Sequence, residues 1–307
     1  MTPRPRTATS LARLASGWAA GGIGFVVVML GGWWFTLAVG VIVHLGLLEF
    51  FRMARFKGIK PASRTTLVAV QLLLLTTQAA AGSGWFSAGV ANDLAAAVLP
   101  ASGAVICGWL LLQPTTGTIA DIAASIFGLF YLGFLPSHWI KLRALADPGL
   151  APALSGSSLP GIPWPWSSGL ALTLLACFLI VATDIGSYVI GRRWGRHPLS
   201  PISPGKTVEG ALGGIGCAMA VGALGGLWLG WRWGAPLGCL LGGVVALFAL
   251  VGDLTESMMK RDAGLKDSGD AIPGHGGILD RIDSYLFVPA MFYAVVTLLY
   301  PLLQRGA

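Results

Sequence analysis

Charge is scarce in this chain. Asp, Glu, Lys and Arg make up 11% of its 307 residues, against about 25% in a soluble globular domain, which excludes an ordinary water-soluble fold. Cysteine is nearly absent too. Cys107, Cys177, Cys217 and Cys239 stand singly in apolar stretches with no C-x-x-C spacing, so they read as small buried hydrophobes and suggest neither a disulfide framework nor a zinc site. What fills the chain instead is apolar: 55% hydrophobic residues and a mean hydropathy of +0.74, with 44 glycines and 12 tryptophans. Glycine lets helices pack closely in lipid and tryptophan favours the headgroup boundary. The composition predicts an all-α, polytopic transmembrane helical bundle. At about 20 apolar residues per span it accommodates roughly eight or nine helices and leaves little for a soluble domain.

Nine apolar stretches can be marked, at 17–30, 33–51, 65–82, 88–112, 118–136, 167–190, 208–230, 235–257 and 284–303, the short first one pairing with the second as a hairpin. The first is read as a span rather than a cleaved signal peptide, because another apolar run follows at once and no A-x-A pattern closes it. The net charge of +7 would raise nucleic acid in a soluble protein, but here the distribution matters and no nucleic-acid partner is expected. With the N-terminus cytoplasmic, Arg4, Arg6 and Arg13, then Arg52, Arg55, Lys57, Lys60 and Arg64, then Arg192, Arg193, Arg196 and Lys206, and finally Lys260, Arg261, Lys266 and Arg281 all fall on one side. Those are sixteen of the 20 basic residues, leaving Lys141, Arg143, Arg232 and Arg305 opposite, as the positive-inside rule requires. Trp33, Trp34, Trp85, Trp164, Trp166, Trp231 and Trp233 cluster at the expected outer ends as an aromatic belt. The Pro-, Gly- and Ser-rich stretch 144–168 reads as an outer connector. Two regions follow: N-terminal helices and outer loop over 1–166, and a C-terminal catalytic membrane region over 167–307. The glycine-dense stretch 210–226 offers small-xxx-small faces for helix packing.

Acidic residues are the informative minority. Of the 13, seven lie between 253 and 283: Asp253, Glu256, Asp262, Asp267, Asp270, Asp280 and Asp283. A solvated charged loop is the plain alternative, and three features argue against it. Asp253 ends an apolar helix, and if that helix continues, Ser257 and Lys260 share its face at i+4 and i+7. The glycines of Pro273-Gly274-His275-Gly276-Gly277 can bring backbone N–H groups against an anion, with His275 open to phosphate contact or to a loop role. Asp280 and Asp283 begin the last helix, where a carboxylate interacts well with the helix N-terminus. Carboxylates from two segments beside lysines and arginines suit a metal and polyphosphate site, since Mg²⁺ prefers oxygen ligands and cations offset phosphate charge.

A second constellation runs from Thr183 to Gly210. Asp184 lies inside an apolar helix, where an ionisable group is a functional candidate by default, the alternative being a carboxylate satisfied by a neighbouring helix. Ser203-Pro204-Gly205-Lys206-Thr207 invites comparison with a Walker A loop and fails it, because Ser200 stands where glycine is required and no strand precedes it. What survives is a glycine turn, a lysine and a threonine at a helix start, suited to phosphate. Asp93 and Asp121 have no chemical partners in sequence and read as structural pairing or a polar lining.

The stretch from Ser257 to Asp283, S-x-x-K-R, four residues, K-D, then P-G-H-G-G and D-R-x-D, resembles the signature of phosphatidate cytidylyltransferases, the CDP-diacylglycerol synthases. The upstream GDLTES and the stretch from Asp184 through SPGKT to Glu209 also resemble that family, so the specific likeness covers roughly the C-terminal 40% of the chain. Ser187 and Trp194 stand where alanine and phenylalanine are common in the family. The resemblance implies CTP and phosphatidate as substrates, CDP-diacylglycerol and pyrophosphate as products, and Mg²⁺ as cofactor, with two metal sites and the identity of the second open. By the same resemblance Asp253 and Asp280 are metal ligands, with Asp283 and Asp184 as further candidates. Lys260, Arg261, Lys266 and Arg281 would neutralise the triphosphate or the lipid phosphate, and Ser257 and Lys206 would contact phosphate. Asp267, His275 and Asp283 complete the expected catalytic set, and Asp184, Ser203, Thr207, Glu209, Gly276 and Gly277 the substrate-binding one. The site would face the cytoplasm from a bacterial inner membrane. Close-packing glycines leave room for a homodimer without requiring one.

An ion-coupled transporter would also place carboxylates such as Asp93, Asp121 and Asp184 in helices. No inverted repeat is evident, and a transporter has no need of seven carboxylates beside HGG. A nearer rival is the same chemistry on an ether-lipid or prenyl phosphate.

Overall fold

The computed structural model describes residues 21–82, 88–154, 167–270 and 276–305. Nine helices form among these residues: α1 (Gly21–Leu30), α2 (Gly32–Phe56), α3 (Ser63–Gly82), α4 (Ala88–Leu111), α5 (Ile119–Arg143), α6 (Ser168–Trp194), α7 (Val208–Trp228), α8 (Gly234–Asp262) and α9 (Leu279–Leu303). Six of them, α2 and α5 to α9, are long and apolar enough to cross a membrane. Large apolar side chains stand exposed along them, such as Leu37, Val41 and Leu45 on α2, Leu224 and Leu227 on α7, and Leu240 and Leu247 on α8. Apolar faces of this extent belong against lipid, and the chain is an integral membrane protein. Arg4, Arg6, Arg13, Trp85, Trp164, Trp166, His275 and the side chain of Asp93 lie outside the described residues.

The first two helices are divided at a break where Gly31 and Gly32 adopt left-handed backbone, φ 64° and 52°. A Cβ on Gly31 would strike the Arg143 guanidinium, which donates to the carbonyls of Val28 (2.7 Å) and Met29 (3.1 Å) and so caps the C-terminus of α1. The glycine stripe performs as its spacing predicts. A Cβ on Gly222, Gly226 or Gly242 would meet the backbone of Gly238, Gly234 or Ala218, so α7 and α8 touch main chain to main chain. Asp121 is structural: it forms a capping box with Thr118 and accepts the Lys60 N–H at 2.6 Å. The four cysteines are free, but they are not the fully buried hydrophobes expected: Cys107 is exposed and Cys177, Cys217 and Cys239 are half-buried.

The all-α membrane bundle expected from the sequence is what forms, with a short hairpin set into it among the described residues: Pro198–Ser200 (β1) and Ser203–Thr207 (β2) pair antiparallel between α6 and α7. The prolines at 198, 201 and 204 and the glycine at 205 keep this stretch from continuing either helix. Trp231 does not belong to an interfacial belt; it is buried and its indole donates to the Leu150 carbonyl at 2.8 Å. Trp33, Trp34 and Trp233 are exposed, as a belt requires.

Candidate active site

The charged segments meet at one end of the bundle. Arg52 of α2 and Lys57 just past its end reach Asp270 (3.9 Å) and Asp262 (3.1 Å), and Arg261 of α8 donates to the Ile202 carbonyl at the hairpin tip (3.4 Å) and to the Leu265 carbonyl (3.2 Å). Within this end two lysine–carboxylate groups form.

In the first, Lys206 of β2 pairs with Asp253 of α8. Asp283 at the start of α9 faces Asp253, and Asp184 of α6 lies within electrostatic reach of both Asp253 and Lys206. Gly252 makes this possible, because a Cβ there would run into the Asp283 carbonyl and hold α8 and α9 apart. Four elements thus bring an ammonium group and three carboxylates into one neighbourhood.

The second group sits deeper. α8 continues past Asp253 as expected, yet Lys260 turns away from Asp253 toward Glu256 (2.5 Å) and the Asp280 Oδ1 of α9 (2.6 Å). Asp280 Oδ2 accepts from the Ser268 N–H (2.9 Å), the Ser268 hydroxyl (2.9 Å) and the Gly277 N–H (2.8 Å). The anion served by the Gly277 amide is therefore a protein carboxylate, while Gly276 supplies a left-handed turn at φ 85°. Ser257 is buried on α8, and Lys266, Asp267 and Arg281 are exposed around the loop.

Thr207 and Glu209 are committed locally. The Thr207 hydroxyl accepts the Gly210 N–H at 3.1 Å and N-caps α7. Glu209 folds back onto the Arg196 N–H (3.0 Å) and His197 (2.6 Å to Nδ1), closing the base of the hairpin that presents Ser203 and Lys206.

Three residues in this neighbourhood carry no functional role in the sequence reading. Glu256 is fully buried beneath Lys260. Tyr131, on a π-turn in α5 at Phe130–Phe134, is fully buried with a hydroxyl that has no partner among the described residues, and it lies within electrostatic reach of Asp253, Glu256 and Asp283. Such turns are frequent at functional sites. Glu49 of α2 is buried and accepts from the Ser268 hydroxyl (3.0 Å), the Ile278 N–H (3.0 Å) and the Leu279 N–H (2.9 Å). Taking a carboxylate out of water costs several kcal/mol, and hydrogen bonds to a charged group return about 1.5–3 kcal/mol each, so a single partner would not hold it there and three can. The available signal was its isolation, since Glu49 is the only acidic residue before Asp93.

Among the described residues no three histidines, cysteines or carboxylates converge as a ready-made metal cage. The donor set nevertheless suits Mg²⁺, which is commonly held by one or two carboxylates together with substrate phosphates. Asp253 and Asp280 are each already faced by an ammonium group, a cation of the protein's own.

The sequence model of the Cytidylyltransferase family matches residues 11–299. A phosphatidate cytidylyltransferase of Synechocystis is 48% identical over 291 residues, covering 92% of this chain and 95% of that one. Phosphatidate cytidylyltransferase 4, chloroplastic, of Arabidopsis thaliana is 37% identical over 88% of this chain and 69% of its own length. The Bacillus subtilis phosphatidate cytidylyltransferase is 29% identical over 93% and 97%. Agreement along nearly the whole chain joins the N-terminal helices to the signature segment, and the chain belongs to the phosphatidate cytidylyltransferase family, as a membrane nucleotidyltransferase.

Proposed function

We propose that the protein makes CDP-diacylglycerol and pyrophosphate from CTP and phosphatidate, with the lipid phosphate attacking the α-phosphorus of CTP in line. The observation that carries this reading is the meeting of Lys206, Asp253 and Asp283 from three elements at the charged end, beside a helix surface open to lipid. A phosphate monoester has its second pKa near 6, so the nucleophile is already ionised and needs no strong protein base. Its oxygen bonds to the α-phosphorus while the bond to the bridging oxygen of the β-phosphate breaks, and pyrophosphate leaves with that electron pair. Positioning and charge neutralisation carry the rate. Lys206 would release Asp253 and turn to a phosphate. Arg261, Lys266 and Arg281 surround the approach from the loop, and Ser203 and Ser257 border it. Asp253 and Asp280 are the proposed ligands of Mg²⁺, with Asp283 and Asp184 as further oxygens. A bound Mg²⁺ supplies positive charge against the triphosphate.

The topology that fits has nine spans and a cytoplasmic N-terminus in a bacterial inner membrane, with CTP reaching the site from the cytoplasm. It is supported by the pattern of basic residues along the sequence, sixteen of the 20 falling in alternate connections of a nine-span chain. The test is purified protein in mixed micelles with labelled CTP and Mg²⁺, offered phosphatidate, an ether-linked analogue or a prenyl phosphate. Labelled CDP-lipid from phosphatidate is expected. Product from the prenyl phosphate alone would overturn the substrate, and no product from any of them would overturn the enzyme.

A further inference from the structure

We propose that Glu49 is a positioning residue of the active site, acting from the N-terminal half on Asp280 through the hydroxyl of Ser268. The inference rests on the reading of Asp280 as a working residue of cytidylyl transfer.

Glu49 grips the signature segment on both sides of its glycine turn. Its Oε2 accepts from the Ser268 hydroxyl before the turn and from the Leu279 N–H after it, while Oε1 accepts from Ile278. Ser268 is also the residue that donates its hydroxyl and its N–H to Asp280 Oδ2, both at 2.9 Å. A serine hydroxyl carries one hydrogen. Here it lies between two carboxylates, 3.0 Å from Glu49 and 2.9 Å from Asp280, so its bond to either is set by the other. When Asp280 is drawn toward a cation, the hydroxyl can turn to Glu49 without leaving a buried donor unpaired, and the loop keeps its shape. The N–H bonds from Glu49 to Ile278 and Leu279 meanwhile hold the first turn of α9, which carries Asp280, in register.

The loop is built to admit this carboxylate. A Cβ on Gly277 would strike both the Ser268 hydroxyl and the Glu49 carboxylate, and one on Gly269 would strike Glu49 as well. Two glycines that flank the turn therefore act as a socket for a side chain more than 200 residues away in sequence. A residue that only joined two helices would not need backbone cleared from both edges of a catalytic loop.

Glu49→Gln keeps the shape but sets an NH₂ group where one acceptor stood. In detergent micelles it is expected to lower kcat on the order of tenfold, as small misplacements of a reacting group do, with KM for CTP and phosphatidate within about twofold of wild type. Amide exchange at 278 and 279 should quicken. Ser268→Ala should also lower kcat, and the double variant should be no worse than the poorer single one, because both act through the same hydroxyl. Thr36→Val breaks a buried α2 bond to Gln78 (2.8 Å) far along the helix and should leave kcat unchanged. Losses that multiply, a Glu49→Gln enzyme at full kcat, or an equal loss in Thr36→Val would each overturn the proposal. If Glu49→Gln fails to assemble, Ser268→Ala carries the test, and wild-type kcat there overturns it. A wild-type protein that makes no CDP-lipid overturns the functional reading, whereas variants as active as a working wild type overturn only the role of Glu49.

Discussion

The two lysine–carboxylate groups at the charged end use the same chemistry in different surroundings. In one, Lys206 and Asp253 retain 27% and 29% side-chain exposure; in the other, Lys260, Glu256 and Asp280 retain 13%, 0% and 11%. An ion pair in partial contact with water can exchange its partner at modest cost, while one sealed in protein leaves a buried charge uncompensated if it opens. The open group is therefore suited to meeting substrate and the closed one to holding shape. Asp280 is proposed for both tasks: it is locked by Lys260, Ser268 and Gly277 and is also a proposed ligand of Mg²⁺.

The comparison breaks most sharply with Asp253→Asn. Activity should fall on the order of 10²–10³-fold, the scale of losing one electrostatic contact to the transition state, with thermal unfolding in detergent unchanged. A protein that loses fold and activity together would make the open group structural. Lys260→Met is the mirror experiment. It strands Glu256 and Asp280, and should cost about 3–5 kcal/mol of stability in denaturant titrations; a cost below about 1 kcal/mol would place the closed group with surface pairs. The smallest effect belongs to Arg52→Ala. Its contact with Asp270 spans 3.9 Å between side chains 55% and 93% exposed, so stability should move by no more than about 0.5 kcal/mol and kcat should hold. A clear loss of turnover would show that α2 steers the loop through its rim as well as through Glu49.

The C-terminal half was the more legible. Asp253, Lys260, Asp280 and Asp283 stand out in sequence because charge, rare in the chain as a whole, is concentrated between 253 and 283, and the glycine-dense stretch 210–226 announces a close helix contact. Thr207 drew attention as part of the glycine turn suited to phosphate and Glu209 through the family resemblance, and in the structure Thr207 caps α7 while Glu209 closes the hairpin. Sequence shows that a polar group is present, and only geometry shows which partner consumes it. Glu49 and Tyr131 were overlooked for a related reason, since each stands alone in an apolar helix and its partners come from segments more than 100 residues away.

Composition and charge placement determined by themselves that this chain lives in lipid, where along it the charged residues gather, and which family it resembles. These follow from local physics: apolar length, the cost of charge in a bilayer, and a dense run of polar positions. Tertiary structure decided how the carboxylates divide between an open group and a closed one, and that α2 closes the loop through Glu49. Those outcomes depend on which buried acceptors meet which donors, and desolvation makes the three-dimensional pairing the decisive quantity.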